Sequence, residues 1–563
     1  MNWHIKEKID KKINGKELYQ VIEQIFLQRG IKTAEDVDKF LSPDYEKDLH
    51  DPFLFNDMEK VVQRVYEAVS IGERVGIFGD HDADGVSSAT VLAEGLEALG
   101  LDVEVYIPDK ITEGHGINAT AIDLFKKEKV SLLFSVDCGT SNVNEVAYAV
   151  SCGMDVIITD HHHAPEVLPN AYAIINPQVI GEKYPFKELS GTAVAFKVVQ
   201  ALHSIFLPEE MDKLKWMLDV VCVGTVADCM PLVGENRVFV KYGLIVLSKT
   251  RRKGYQELIK TGNLAITEQK VPSVHMVAFQ IAPRINAAGR MTHAKHAYAL
   301  MREQKYENAR KLSQDIEQQN IQRRQLVDKI THEAEKIVEE EQRDRSFIVI
   351  ASEEYPVGIV GIVAGRIAEK YQKPTGVFSK IGDEGRGSFR SVDGVHIVDV
   401  LTACSMHLNK YGGHEKAAGA TIDNKKLDDF AQAADAYVKE LSIDLSAEPV
   451  LWADGEIELS EVNHELLYFL QKCEPFGEGN EEPVFCIRDV IVDSVRMVGN
   501  GDEHIKLRVS SRDEQYAVDG IGFGLGKKCS EIVVGDVITV YAHIQENEWM
   551  GNVSVQLNII DIV

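Results

Sequence analysis

Asp80, Asp82 and Asp84 stand at every second position of Asp80-His81-Asp82-Ala83-Asp84-Gly85, directly after the apolar run 75–78. Alternate residues of an extended segment point the same way. The spacing therefore predicts three carboxylates converging at the carboxyl end of a strand, where open α/β sheets place their ligands. Hard oxygen ligands packed this closely repel one another unless a cation sits among them. Asp-x-Asp-x-Asp-Gly also opens a calcium-binding EF-hand loop. Here Val91 stands at the twelfth loop position in place of a bidentate glutamate, and a strand pattern precedes the loop instead of a helix. The pattern reads as a metal site of another kind.

Further ligands follow other apolar runs. The run 132–136 ends in Asp137-Cys138-Gly139, and the run 156–159 ends in Asp160-His161-His162-His163. Asp228 lies in Val226-Ala227-Asp228-Cys229, after the run 220–223. Neighbouring parallel strands lie about 4.8 Å apart, so their ends can share one site. Taken singly, Asp137 and Asp228 also read as loop acids, and the three histidines as a surface cluster. Coulomb's law favours a pair of metals. Two divalent ions about 4 Å apart repel by roughly 17 kcal/mol at an effective dielectric near 20. Asp80, Asp82, Asp84, Asp137 and Asp228 supply five negative charges against four positive. A neutral His161 accepts a metal, which leaves His162 for substrate or proton work. Paired metals of this kind activate water and clamp the oxygens of an in-line displacement at phosphorus, so phosphoester hydrolysis is the expected chemistry.

The elements that must position these groups are legible as alternation. Apolar runs at 75–78, 103–107, 132–136, 156–159 and 173–175 are separated by amphipathic helical stretches, the pattern of a parallel sheet with crossover helices. Residues 1–50 read as a charged, mostly helical extension or cap. Residues 51–260 read as the catalytic domain. Residues 261–345 read as a connecting region whose stretch 301–345, free of Gly and Pro, forms a long charge-balanced helix bridging two domains. Its middle, 318–325, loses the apolar stripe apart from Ile321, so it is either solvated or faces substrate. Residues 346–445 resume α/β alternation. Residues 446–563 read as an all-β, barrel-like domain, with an oligonucleotide-binding (OB) fold as one candidate and a hairpin turn at 546–551.

Bulk composition narrows the class. The 563 residues are too many for one core. Hydrophobic content of 45% and charged content of 26% are those of a globular protein. No apolar run long enough for a membrane span and no secretory leader pattern is present, and eight scattered cysteines without a Cys-x-x-Cys pair suit a reducing cytoplasm. The formal net charge of −27 argues against coating nucleic acid over the whole surface, but permits one cationic groove.

Asp80–Gly85, Asp137-Cys138-Gly139, Asp160-His161-His162 and Ala227-Asp228 together resemble the four motifs of the DHH-superfamily phosphoesterases, in order and spacing. The segment Gly412-Gly413-His414-Glu415-Lys416-Ala417-Ala418-Gly419 is similar to the glycine-rich loop of the DHH-associated domain. Pro283–Arg290, Gly387-Ser388-Phe389-Arg390-Ser391 and Pro475–Asn480 resemble the RecJ branch, single-strand-specific 5′→3′ DNA exonucleases. The resemblance runs from about residue 50 to the end of the chain.

That resemblance implies two Mn²⁺ or Mg²⁺ ions on Asp80, Asp82, Asp84, Asp137, His161 and Asp228, with Asp137 bridging. It implies that His162 meets the scissile phosphate, that Gly413 and His414 approach phosphate, and that Ser388, Arg390 and Arg284 hold the 5′-terminal phosphate. It further implies a monomer acting on single-stranded DNA in repair or recombination, beside a helicase and a single-stranded-DNA-binding protein. Trp549, Phe523 and Tyr541 are possible stacking platforms in the last domain. RecJ proteins usually carry an aromatic residue at the place of His81, and His163 and 291–294 also depart from the pattern; His81 alternates away from the aspartates and is left outside the ligand set. Two rival readings are a phosphodiesterase for short RNA or cyclic dinucleotides and a non-catalytic DNA-binding scaffold. The length and the extra β domain oppose the first, and the full ligand set opposes the second.

Overall fold

The structure is a computed structural model that describes residues 2–549 and 552–563 apart from 17, 111 and 445–449; the side chains of Asn2 and Trp549 also lie outside the described residues. The chain divides into two compact units.

The larger unit comprises Asp51–Met230 and Tyr242–Ala447. Its first sheet has five strands: β1 (Arg74–Gly79), β2 (Asp102–Tyr106), β3 (Leu132–Val136), β4 (Asp155–Thr159) and β5 (Ala173–Ile175). They lie in the order β2-β1-β3-β4-β5, all parallel. Each of the five apolar runs read from the sequence falls on one of these strands. Both faces are covered, so β3 is buried along its whole length and reads as a continuous apolar run instead of an alternating one. Helix α1 (Ala83–Ala98) leaves the end of β1 and packs on α2 (Gly191–Phe206) and α3 (Leu218–Ala227). The run 220–223 thus lies on a helix, and Asp228 caps its carboxyl end.

The long helix is α4 (Tyr306–Ile337), followed by a π turn at Val338–Gln342. It begins later than expected, because Lys295–Arg302 forms a separate helix. One part packs on Lys253–Thr261 and Ala282–Met291. Further along, Val327, Ile330 and Ala334 enter a core with Ile348, Ile359 and Val363, so the helix does bridge two lobes. The second lobe holds β6 (Ile348–Ser352), β7 (Thr375–Ile381), β8 (Glu384–Arg390), β9 (Leu408–Gly413) and β10 (Ala417–Asp423), in the order β9-β10-β8-β7-β6. Only β6 and β7 pair in parallel.

The smaller unit comprises Met1–His50, Pro231–Lys241 and Glu448–Val563. Its barrel is built of β11 (Phe485–Val498), β12 (His504–Ser510), β13 (Ala517–Gly522), β14 (Val537–Trp549) and β15 (Asn552–Ile562), closed by pairing of β14 with β11. Closure removes the open edge. The domain is not all-β as expected, since a helix at His464–Cys473 packs on it. Nor is the N-terminal segment a separate extension. Val21, Ile25, Phe26 and Val37 share one core with Leu466, Phe485 and Val540, and Asn2–Ile5 pairs in parallel with Val450–Ala453. Pro475–Asn480 is a structural knot of this unit: the Asn480 side chain donates to the carbonyls of Cys473 (3.0 Å) and Pro475 (2.8 Å), and Arg237 donates to those of Cys473 and Glu474. Tyr541 is buried against Trp3, ring centroids 4.2 Å apart, which spends it on packing, whereas Phe523 is exposed.

Candidate metal centre and phosphate-binding wall

The three aspartates of the first motif converge by a route other than strand alternation. β1 ends at Gly79, so the triad lies on a strand-to-helix corner. Asp82 is the N-cap of α1, its Oδ1 accepting the N–H groups of Asp84 and Gly85, each at 3.0 Å. Such capping satisfies donors that the first helical turn leaves open. Asp84 sits within that first turn, and its carboxylate accepts the N–H of Gly191 (2.7 Å) and of Thr192 (3.0 Å) at the start of α2. The positive end of that helix favours an anion. Gly85 permits the corner, because a Cβ there would lie 2.6 Å from the Asp80 carbonyl oxygen.

Asp137 follows β3 in the left-handed region, with φ 59°. A non-glycine residue held there costs about 1–3 kcal/mol and marks functional sites. Asp160, after β4, is a positioning group. It accepts N–H bonds from Thr140 (3.0 Å), His161 (2.8 Å) and His162 (3.2 Å), and contacts His162 Nδ1 at 2.8 Å.

These devices bring all six expected ligands together. His161 Nε2 lies 3.1 Å from Asp137 Oδ1, 3.4 Å from Asp228 Oδ2 and 3.8 Å from Asp84 Oδ2. Asp80, Asp82 and Asp137 offer a second group of oxygens within 4.8 Å of one another. Asp137 belongs to both sets. Asp80 Oδ1, Asp137 Oδ1 and His161 Nε2 are buried without a hydrogen-bond partner among the described residues. Buried polar atoms left unpaired are costly, and a divalent cation in each group would satisfy them. Oxygen ligands with one imidazole fit Mn²⁺ or Mg²⁺.

The electrostatics agree. Burial, reinforced by the neighbouring carboxylates, pushes Asp137 well above the usual range and Asp228 up to about 9. Burial lowers His161, keeping it neutral and able to ligate. Burial opposes the charge of His162, but its hydrogen bond to Asp160 prevails and raises it to about 9. In the ion-free chain the hydrogen bond to Asp160 thus favours the cationic form of His162.

A cluster of basic groups lies within electrostatic reach of the acids, and most of it went unread in the sequence. Lys110 is pushed down to about 8 by burial and by Arg290, against the pull of Asp82 and Asp80. Arg290 is lowered by burial, with Asp82 opposing and Arg390 reinforcing the shift. Arg323, on α4, is lowered to about 10 by burial and then by Arg290, Arg324, Arg366 and Arg284. Its Nε and Gln319 Oε1 are buried without a partner among the described residues, and Asn320 is buried. The stretch 318–325 is thus not plain solvated helix. Ser388 and Arg390 lie two apart on β8 and share a face, with Arg390 reaching the Ser388 hydroxyl at 3.4 Å. Gly413 has φ +153°, and a Cβ would meet the Ala417 carbonyl oxygen at 2.4 Å. His414, beside it, is exposed with its ring centroid 6.4 Å from that of His163.

One expected phosphate ligand is otherwise engaged. The Arg284 guanidinium is buried in an ion pair with Glu317 on α4 and donates to the Gln280 carbonyl. Arg290, quoted in the same motif, takes the place beside Asp82 and Arg390. The sequence signal for Arg290 was its position further along the same helix. Lys110 had none.

Comparison with known proteins identifies the domains that carry these residues. Residues 74–225 match the family described as DHH family, N-terminal domain, residues 344–440 the DHHA1 domain, and residues 453–561 the RecJ OB domain. The single-stranded-DNA-specific exonuclease RecJ of Bacillus subtilis is 34% identical over 568 residues, covering 100% of this chain and 70% of its own. The protein of the same name from Haemophilus influenzae is 30% identical, covering 97% of this chain and 96% of its own. The crystal structure of RecJ from Thermus thermophilus in complex with Mn²⁺ superimposes with a TM-score of 0.83 at 25% identity, over 100% of this chain and 79% of that one. A sheet ending in convergent acids, a bridging helix, a DHHA1 lobe and a closed barrel occur here in one chain, which belongs to the RecJ family.

Proposed function

We propose that the chain is a 5′→3′ exonuclease for single-stranded DNA that releases nucleoside 5′-monophosphates. The observation that carries this reading is the buried, unpartnered convergence of Asp137, His161 and their neighbouring carboxylates, faced by a wall of Lys110, Arg290 and Arg390. Asp80, Asp82 and Asp137 would hold one divalent cation, and Asp84, Asp137, His161 and Asp228 the other. Bound there, the pair supplies an acidified water and charge neutralisation for the phosphodiester. His162, cationic through Asp160, donates to a non-bridging oxygen of the scissile phosphate. Ser388, Arg390 and Arg290 hold the 5′-terminal phosphate, since arginine forks match phosphate oxygens in two places. Gly413 lets backbone N–H groups approach the strand.

A local basic wall reconciles a net charge of −27 with a polyanionic substrate. The barrel supports binding of the trailing strand, with exposed Phe523 as one stacking surface. No helix among the described residues is long and apolar enough to cross a membrane, and all eight cysteines are free. Work in the cytoplasm, as a monomer alongside a helicase and a single-stranded-DNA-binding protein, is part of the same proposal.

The test is digestion of a 3′-labelled single strand, its duplex and a dinucleotide, with 5′-phosphate or a 5′ block, in Mn²⁺ and in chelator. Shortening from the 5′ end with mononucleotide products, abolished by the duplex, the block and chelator, is expected. Much faster cleavage of the dinucleotide would transfer the chain to the short-substrate phosphodiesterases.

A further inference from the structure

Two histidines outside the six-ligand set close on Asp80. His81 Nδ1 lies 2.8 Å from Asp80 Oδ1, and His115 Nδ1 lies 3.0 Å from Asp80 Oδ2. The three residues offer ligand atoms within 4.8 Å of one another, as a group separate from the Asp80, Asp82 and Asp137 group. His115 Nδ1 and Asp80 make a hydrogen bond. The His81 contact is different. His81 Nδ1 and Asp80 Oδ1 touch, yet neither has a hydrogen-bond partner among the described residues. The His81 side chain is 10% exposed and that of Asp80 is 4% exposed, so water does not satisfy them. Two polar atoms pressed together off the hydrogen-bonding line are arranged as ligands of one ion are. Donors about 2.1 Å from a shared cation stand roughly 3 Å apart.

We infer that Asp80, His81 and His115 form a third cation site beside the acid-rich pair, one that takes a nitrogen-preferring divalent ion such as Zn²⁺ or Co²⁺. The donor sets differ in kind: carboxylate-rich groups suit Mg²⁺ and Mn²⁺, whereas imidazole suits zinc and the later transition metals. His115 supplies the open side. It lies between Gly114 and Gly116 with its side chain 55% exposed, and its ring centroid is 5.7 Å from that of His162. An ion held there would have free positions facing the same space as His162. Through Asp80 it shares a carboxylate with the neighbouring pair.

The inference shares Asp80 with the nuclease reading, and its test separates the two. The full-length chain is dialysed against Co²⁺, and bound metal and the visible Co²⁺ absorption are measured for the wild type, His115→Gln, His81→Gln and Asp228→Asn. Three ions per wild-type chain are expected. Either histidine variant should lose one ion and its share of the absorption, and His115→Gln should keep Mn²⁺-dependent DNA hydrolysis while escaping inhibition by added Zn²⁺. Asp228→Asn should keep the histidine-bound ion. Two ions in the wild type and still two in both histidine variants would overturn the site and leave His81 and His115 as hydrogen-bonding supports of Asp80. Three ions persisting in both variants would overturn it as well. A single wild-type ion lost with either histidine would keep this site and defeat the dinuclear reading instead.

Discussion

The two sheets of the larger unit have five strands each and carry opposite kinds of functional group. The parallel sheet β1–β5 leads into convergent acids, of which Asp80, Asp84, Asp137 and Asp160 are buried and Asp80 Oδ1 and Asp137 Oδ1 lack hydrogen bonds. The mixed sheet β6–β10 presents Ser388, Arg390, Gly413 and His414, all at least partly exposed. Parallel strands all finish at one edge, so several motifs can be concentrated in a dry pocket that holds ions. Antiparallel neighbours present a face, and β8 opposite β10 sets Ser388 across from Gly419 and Arg390 across from Ala417. Small partners leave room for a chain of phosphates. On the proposed reading the first sheet holds small cations and the second meets a polymer.

The sharpest way to break that contrast is Asp137→Asn. Asp137 belongs to the group with Asp80 and Asp82 and also touches His161 of the other, so its loss should lower hydrolysis by at least about a thousandfold, beyond what outer positioning groups cost. A single-turnover assay on labelled single strands checks this. Retention of a tenth of the activity would refute the shared-carboxylate role. Next in size is Asp160→Asn, which touches no proposed ion and acts by fixing His162 and three backbone N–H groups. A loss of about ten- to a hundredfold is expected. The NMR-detected pKa of His162 should fall from its raised position, a change that a merely structural role would not produce.

The second sheet gives a paired prediction. Arg390→Gln should weaken discrimination between 5′-phosphate and 5′-hydroxyl ends by about tenfold, the worth of one charged hydrogen bond. Arg284→Gln should leave that discrimination unchanged and lower stability by about 3 kcal/mol, because it strands Glu317 without its partner. Competition assays with the two end types and denaturant melts separate the variants. If Arg284→Gln alone abolished discrimination, the ion pair would open in the working enzyme and the sequence-based assignment of Arg284 would be restored.

These cases also show how much could be read from residues alone. The convergence of the six candidate ligands was legible because their types are rare together and each follows an apolar run. Strand alternation is nevertheless the wrong reason for the convergence of Asp80, Asp82 and Asp84. Alternation would need residues 80–84 extended, while the N-cap of Asp82 turns the chain into a helix. Arg284 and Arg290 could not be told apart, since which of two arginines on a helix meets Glu317 depends on the packing of α4. His115 and Lys110 sit in the loop after β2, where no periodicity marks them. The N-terminal segment looked like an appendage because its core partners lie more than 400 residues away. Local pattern says nothing of contacts at that separation.

The smallest expected effect bears on the first sheet alone, and its sign follows from which groups hold protons without metal. Burial and neighbouring carboxylates raise Asp137 well above its ordinary value and Asp228 to about 9, whereas burial keeps His161 neutral. Between an unfolded carboxyl pKa of about 4 and the raised folded values, the ion-free folded chain holds more protons than the unfolded chain. Its stability therefore falls as pH rises across that window. Mn²⁺ requires the deprotonated acids, so binding at neutral pH must expel protons, and apparent affinity should rise by up to about tenfold per pH unit for each proton released. Titration calorimetry at pH 7 in two buffers of different ionisation enthalpy measures that number directly. At least one proton per pair of metal ions is expected, since Asp228 alone supplies one, and Mn²⁺ should flatten the pH dependence of thermal unfolding. Binding with no proton release would mean that the acids are already ionised without metal. The second sheet, whose Ser388, Arg390, Gly413 and His414 include no acid, should add nothing to the proton release that accompanies Mn²⁺ binding, so Arg390→Gln should leave that number unchanged.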